Sequence, residues 1–139
     1  MWLVFWRAFR SVQLADHDSI ADTGLCLSDF AVLEVLLHKG PTPVNTIGQK
    51  VMLTSGSMTT AVNRLLKREL VVRRQDENDR RIFFVELTSE GEKLITSAFS
   101  EHANRLEELF SCFSEDERSS FLHLARKLGK SATTNSADS

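Results

Sequence analysis

The sequence predicts a mainly α-helical chain carrying one small β-hairpin, an α+β arrangement with four helices before the hairpin and two after it. Three observations lead there. Apolar residues recur every three or four positions along most of the chain. That period gives way to strand-like runs only between Leu70 and Leu87. Capping and stop residues fall at the joints between the periodic stretches. With 139 residues, no linker and no internal repeat, the expectation is a single domain.

Trp2, Phe5, Trp6, Phe9 and Val12 share one stripe of a first helix, which Asp16, Asp18 and Asp22 begin to break and Gly24 closes. A second helix is expected from about Ser28 to Lys39, with Phe30, Leu33, Leu36 and Leu37 inward and Gly40-Pro41 as its stop. Thr42 is a suitable N-cap and Pro43 a suitable first residue for a short third helix ending near Val51. Thr54 caps a fourth helix, about Ser55 to Glu69. Its Met58, Val62 and Leu65 lie on one face; Ser55, Ser57, Thr59, Thr60, Asn63 and Arg64 lie on the other. Leu70 to Arg74 and Ile82 to Leu87 read as two strands around a charged loop, Gln75 to Arg81. A fifth helix is expected from about Ser89 to Phe113. Ser114-Glu115-Asp116-Glu117 then fits a capping box for a last helix that stops at Gly129. Residues 131–139 contain no large apolar side chain and are expected to form a flexible tail.

The net charge of −2 looks unpromising for nucleic acid, but it is unevenly spread. Between Pro43 and Leu87 eight Lys/Arg face five acids, a balance of +3, and the remainder of the chain carries −5. Cys26 and Cys112 stand far apart with no CxxC or Cys/His cluster, so a disulfide scaffold and a zinc site are not expected, and a reducing cytoplasm is. The apolar opening Met1 to Trp6 is cut by Arg7 and Arg10, far short of a membrane span. No nucleophile–base set or metal-ligand cluster stands out, so neither an enzyme nor a cofactor or metal is expected.

Helix, helix, turn, helix and then a hairpin is the order of a winged helix-turn-helix, here with long helices at both ends suited to dimerisation. A recognition helix must bury one face while presenting small polar groups to base edges. The Thr54, Ser55, Ser57, Thr59, Thr60, Asn63 face meets that requirement, with Gly56 giving clearance. Arg64 either reaches a phosphate or pairs with an acid and braces the fold. Adjacent Arg73 and Arg74 put one side chain on each strand face, so only one of them faces DNA, and Arg74 is the candidate. Arg80 and Arg81 either reach DNA or close a salt bridge with Asp76 or Asp79.

Leu27-Ser28-Asp29-Phe30-Ala31-Val32-Leu33, Ile47-Gly48, Leu53 to Thr59, Asn63-Arg64-Leu65, Leu70-Val71, Asp79-Arg80-Arg81 and Leu87-Thr88-Ser89-Glu90-Gly91 stand in this order along the chain. Together these stretches resemble the MarR family of bacterial transcriptional regulators. The resemblance covers about Leu25 to Leu94 closely, and the flanking helices in order and length. Families of this type often have more residues ahead of the first helix than this chain does.

The resemblance implies one MarR-like domain over 1–130, with a DNA-binding winged-helix lobe at about 28–88 and dimerisation helices at about 1–23 and 89–130. It implies a homodimer on a pseudo-palindromic double-stranded operator, most simply a repressor released by a small effector or an oxidant. Similarity in the second-helix segment points to phenolic or quinone-like compounds. The wing arginine would enter the minor groove, oriented by the aspartate two residues earlier; here these are Arg81 and Asp79, with Arg80 at or near the tip. Cys26, His17, His38 and Phe30 are the candidates for a ligand or redox site, with His102 as a further histidine. Each also has an ordinary structural reading as a core or surface residue. A winged-helix module that binds protein instead of DNA is the alternative, although it would not need the arginine wing.

Overall fold

The computed structural model describes residues 1–137. It divides into two compact units, Met1–Asn104 and Arg105–Ser139, and the boundary falls inside a helix instead of at a linker. The elements are α1 (Trp2–Ser19), a 3-10 turn (Ala21–Thr23), α2 (Leu27–Lys39), β1 (Thr42–Pro43), α3 (Val44–Val51), α4 (Ser55–Lys67), β2 (Val71–Gln75), β3 (Phe83–Leu87), α5 (Ser89–Phe110) and α6 (Glu115–Ala137).

In the first unit the core is built from alternate layers of this order. Phe30, Val32, Leu33 and Leu36 of α2 meet Ile47 of α3 and Met58, Ala61, Val62 and Leu65 of α4. Val71, Val85 and Ile95 close it from the hairpin and α5. Each of these residues is almost fully removed from water, so burial of apolar surface is what holds the helix-turn-helix together. The turn between α3 and α4 is made at Met52, whose φ of 55° is left-handed although the residue is not glycine.

The sheet has three strands, not two, in the order β1-β3-β2, all antiparallel. Thr42 pairs with Val85 and Pro43 with Phe84. The expected Thr42 cap is therefore absent: the Thr42 hydroxyl donates to the Gly40 carbonyl at 2.9 Å, and α3 begins one residue later, at Val44. Proline is tolerated because β1 is an edge strand.

The Leu-Thr-x-x-Gly segment is a joint between hairpin and helix. Thr88 donates its N–H to Leu70 O (3.1 Å) and its hydroxyl to Glu69 O (2.7 Å), while its Oγ1 accepts from Gly91 N (3.0 Å). A Cβ on Gly91 would sit 1.9 Å from the Leu70 carbonyl oxygen, so only glycine fits there.

α1 carries its aromatic residues on the outside of this unit. Trp2, Phe5, Trp6 and Phe9 form a ladder of neighbouring rings 6.0–6.4 Å apart, and all four are exposed. In the second unit, α5 ends at Phe110 and not at Phe113. The expected capping box then forms: Ser114 N donates to Glu117 Oε2 at 2.9 Å and Glu117 N to Ser114 Oγ at 3.4 Å. These bonds hold the Glu117 carboxyl below its ordinary pKa. α6 does not stop at Gly129. A single glycine costs a helix only about 1 kcal/mol, and the chain continues helically to Ala137, with Thr133 Oγ1 returning to the Gly129 carbonyl. Of the segment 131–139 expected as a tail, residues 131–137 lie within the bounds of α6, and Asp138 and Ser139 lie outside the described residues. Phe121, Leu122, Leu124 and Leu128 of α6 are exposed.

Candidate nucleic-acid interface

α4 starts on Thr54, whose Oγ1 accepts from Ser57 N at 3.2 Å and whose hydroxyl donates to Ser57 Oγ at 3.0 Å. Below the cap, Met58, Ala61, Val62 and Leu65 are buried, and Ser55, Ser57, Thr59, Thr60, Asn63 and Arg64 are exposed, as the spacing requires. Thr59 and Thr60 turn their hydroxyls back onto the carbonyls of Ser55 (3.0 Å) and Gly56 (2.9 Å). Their oxygens keep lone pairs, and their methyl groups are suited to contact a thymine methyl. With no acid in its first turn, α4 presents a short, uncharged polar face and the positive end of its backbone dipole.

The wing is shaped by two aspartates. Asp76 Oδ1 accepts the N–H groups of Asn78 and Asp79, both at 2.8 Å, and Asp76 N closes the loop onto Ile82 O. Asp79 then grips Arg81: Oδ1 accepts from the backbone N (3.0 Å) and Nε (3.1 Å), and Oδ2 from Nη2 (3.0 Å). The Arg81 guanidinium and its backbone N–H hold the Asp79 carboxyl below its ordinary pKa, and Asp79 raises that of Arg81 in return. Although paired, the Arg81 side chain remains 90% exposed, projecting as an oriented fork. Arg80 is exposed beside it, its carbonyl accepting from Gln75 Nε2.

Strand register separates the arginine pair. Arg73 is opposite Val85, a core residue, and Arg74 is opposite Phe84 on the other face. Arg73 lines a groove of about 500 Å³ with Thr59 of α4, Asn45 and Thr46 of α3, and Arg81. Arg74 instead lies over Phe84 and reaches Glu86 at 4.0 Å. Of this pair, Arg73 is the one that lines the groove, whereas Arg74, the candidate from the sequence, lies on the other face.

Of the two readings of Arg64, the structure contains the brace. Nε donates to Asp29 Oδ1 (3.2 Å) and Oδ2 (3.0 Å), and Nη2 donates to Oδ1 at 2.6 Å, to Ser28 Oγ at 3.1 Å and to Cys26 Sγ at 3.3 Å. These bonds, those to Asp29 foremost, raise the arginine's pKa above its already high ordinary value. The sequence alone does not single out Asp29, a buried carboxylate in the first turn of α2, as that partner. A signal is present, because a charged residue sits one position before the first core aromatic, Phe30.

Comparison with known proteins gives this arrangement its family. The chain is 36% identical over 132 residues to the HTH-type transcriptional regulator MhqR of Bacillus subtilis (strain 168), covering 95% of this chain and 91% of that one. The MarR family model matches residues 25–83, from the entry to α2 to the start of β3. The chain belongs to the MarR family. Its function at that level is DNA-binding transcriptional regulation. Solved MarR-like structures share the fold. BpsR of Bordetella bronchiseptica, studied for regulation of its DNA binding by 6-hydroxynicotinic acid, superposes with a TM-score of 0.83 at 22% identity, covering 93% of this chain and 92% of that one. PcaV of Streptomyces coelicolor, in complex with its natural ligand, does so at 0.79 and 23%, covering 90% and 91%.

The effector-site candidates of this MarR chain do not converge. Phe30 is a core residue whose ring centre lies 4.7 Å from that of His102. His102 is itself buried, with Nδ1 2.6 Å from Ser19 Oγ and Nε2 3.6 Å from Asp16 Oδ1. His38 stands edge-on to Phe99, at 4.8 Å between ring centres, and His17 is exposed beside Asp18. Cys26 is exposed and belongs to the Arg64 cluster. Among the described residues no group of three His, Cys, Asp or Glu could hold a metal ion, and no helix is long and apolar enough to cross a membrane.

Proposed function

We propose that this MarR-family chain acts as a homodimeric repressor on a pseudo-palindromic operator. The polar face of α4 would read the major groove and Arg81 the adjacent minor groove. The observation that carries this reading is the three-bond tie between Asp79 and Arg81, which fixes an exposed guanidinium at the wing beside a capped, acid-free helix. Ser55, Ser57, Thr59, Thr60 and Asn63 would face the bases, Thr54 would present the first-turn N–H groups to a phosphate, and Arg80 would add a backbone contact. The local charge balance of +3 over Pro43 to Leu87 favours the same side of the molecule. Two-fold pairing has its support in the exposed aromatic ladder of α1 and the exposed apolar residues of α6.

Release by a small phenolic or quinone-like effector, or by an oxidant acting on exposed Cys26, completes the proposal. The regulation of BpsR by 6-hydroxynicotinic acid and the PcaV ligand complex are the precedents among proteins of this fold. The test is a footprint on DNA upstream of the protein's own gene, with and without phenols and oxidants. Two protected half-sites about 10 bp apart, lost on adding one of these compounds, are the expected result. A chain that protects no such DNA would overturn the proposal.

A further inference from the structure

A major-groove helix and a minor-groove wing stand on opposite sides of one sugar–phosphate strand, because that strand is what separates the two grooves. It must cross the space between α4 and the wing. In this chain the space is the groove bounded by Thr59, Asn45 and Thr46 on the helix side and by Arg73 and Arg81 on the hairpin side. No acidic residue lines it. Of its two guanidinium groups, that of Arg81 is paired with Asp79. The Arg73 guanidinium lies 5.8 Å from the centre of the Phe83 ring, and it pairs with no carboxylate of the described residues. The groove therefore holds one uncompensated positive charge, steadied by an aromatic face, with the neutral polar side chains of Asn45, Thr46 and Thr59 and the apolar ones of Pro43, Val44 and Ile82 around it.

From this geometry we infer a phosphate seat: the groove between α4 and the wing holds a phosphodiester of the DNA backbone, with Arg73 as its cation. The inference rests on the DNA-binding reading above and adds a contact outside both the recognition face and the wing tip. A planar guanidinium fork matches a phosphate's two oxygens, and such a contact carries register without sequence preference. It also releases counterions, so its signature is a salt effect.

The test uses the full chain and a mixed-sequence duplex, with binding followed by fluorescence anisotropy as potassium chloride is raised. Arg73→Ala is expected to weaken binding to every duplex by a similar factor. It should also flatten the slope of log affinity against log salt by about one per arginine lost. Arg73→Lys, which keeps the charge, is expected to restore most of the slope and guards against a folding defect in the alanine variant. Lys93→Ala, which removes one positive charge from α5 that does not line the groove, is expected to leave the slope as it was. An unchanged slope in Arg73→Ala beside a salt-sensitive wild type overturns the phosphate seat alone. A wild type with no salt-sensitive binding overturns the DNA reading with it.

Discussion

Arg64 of α4 and Asp29 of α2 are joined by three hydrogen bonds, the shortest 2.6 Å, with the carboxylate buried and the guanidinium half exposed. Beyond the apolar packing between the two helices, α4 is thus tied to α2 by an ion pair at the point where its polar face meets solvent.

Removing the arginine strands a buried carboxylate. Arg64→Ala is expected to lower unfolding free energy by about 1–3 kcal/mol, the cost of leaving such a group unsatisfied. Arg64→Lys keeps the charge but loses the fork, so it should recover only part. The Asp29→Ala/Arg64→Ala double variant should cost less than the sum of the two single ones, measured by denaturant unfolding.

The wing tie has a pH signature. Because Arg81 holds the Asp79 carboxyl below its ordinary 3.8, the tie is complete above that pH and is lost as pH falls through the lowered value. Carbon NMR of the side-chain carboxyl should show Asp79 titrating below 3.8 in the wild type and moving up toward it in Arg81→Ala. DNA affinity should then fall on acidification only once Asp79 protonates, and a loss centred near neutral pH would point to another group.

Gly91→Ala is expected to destabilise the first unit by roughly 1–3 kcal/mol or more, since its methyl would have to displace the Leu70 backbone. Thermal unfolding is the direct check. Gly56→Ala, where an added Cβ meets nothing within 4 Å, should not lower stability.

If α1 pairs two protomers, a charge set within its aromatic ladder should separate them. Trp6→Glu is expected to sediment as a monomer and to lose operator binding, while circular dichroism shows unchanged helix content. Dimers that persist in that variant would place the interface elsewhere.

What could be read beforehand was what depends on neighbours in sequence. The Thr54 cap, the Ser114–Glu117 box and the Asp79–Arg81 pair each join residues no more than three positions apart, and each formed. What escaped depends on distant partners. Thr42-Pro43 carries good helix-start residues, but pairing with Val85 and Phe84 made it a strand. Arg73 and Arg74 are equivalent until the register with β3 gives them faces, and Arg64 had no visible partner because Asp29 lies 35 positions away. Gly129 failed as a stop because a glycine punctuates a helix only when its surroundings reward the break.

Asp29 and Phe30 are consecutive, and they hold opposite neighbours: Asp29 the Arg64 guanidinium of α4, Phe30 the His102 ring of α5. Both contacts issue from a single rigid turn. α2 therefore cannot roll about its axis without loosening its grip on one helix or the other. The first turn of α2 is thus a common point of attachment, at which two adjacent side chains hold α4 and the His102 ring of α5.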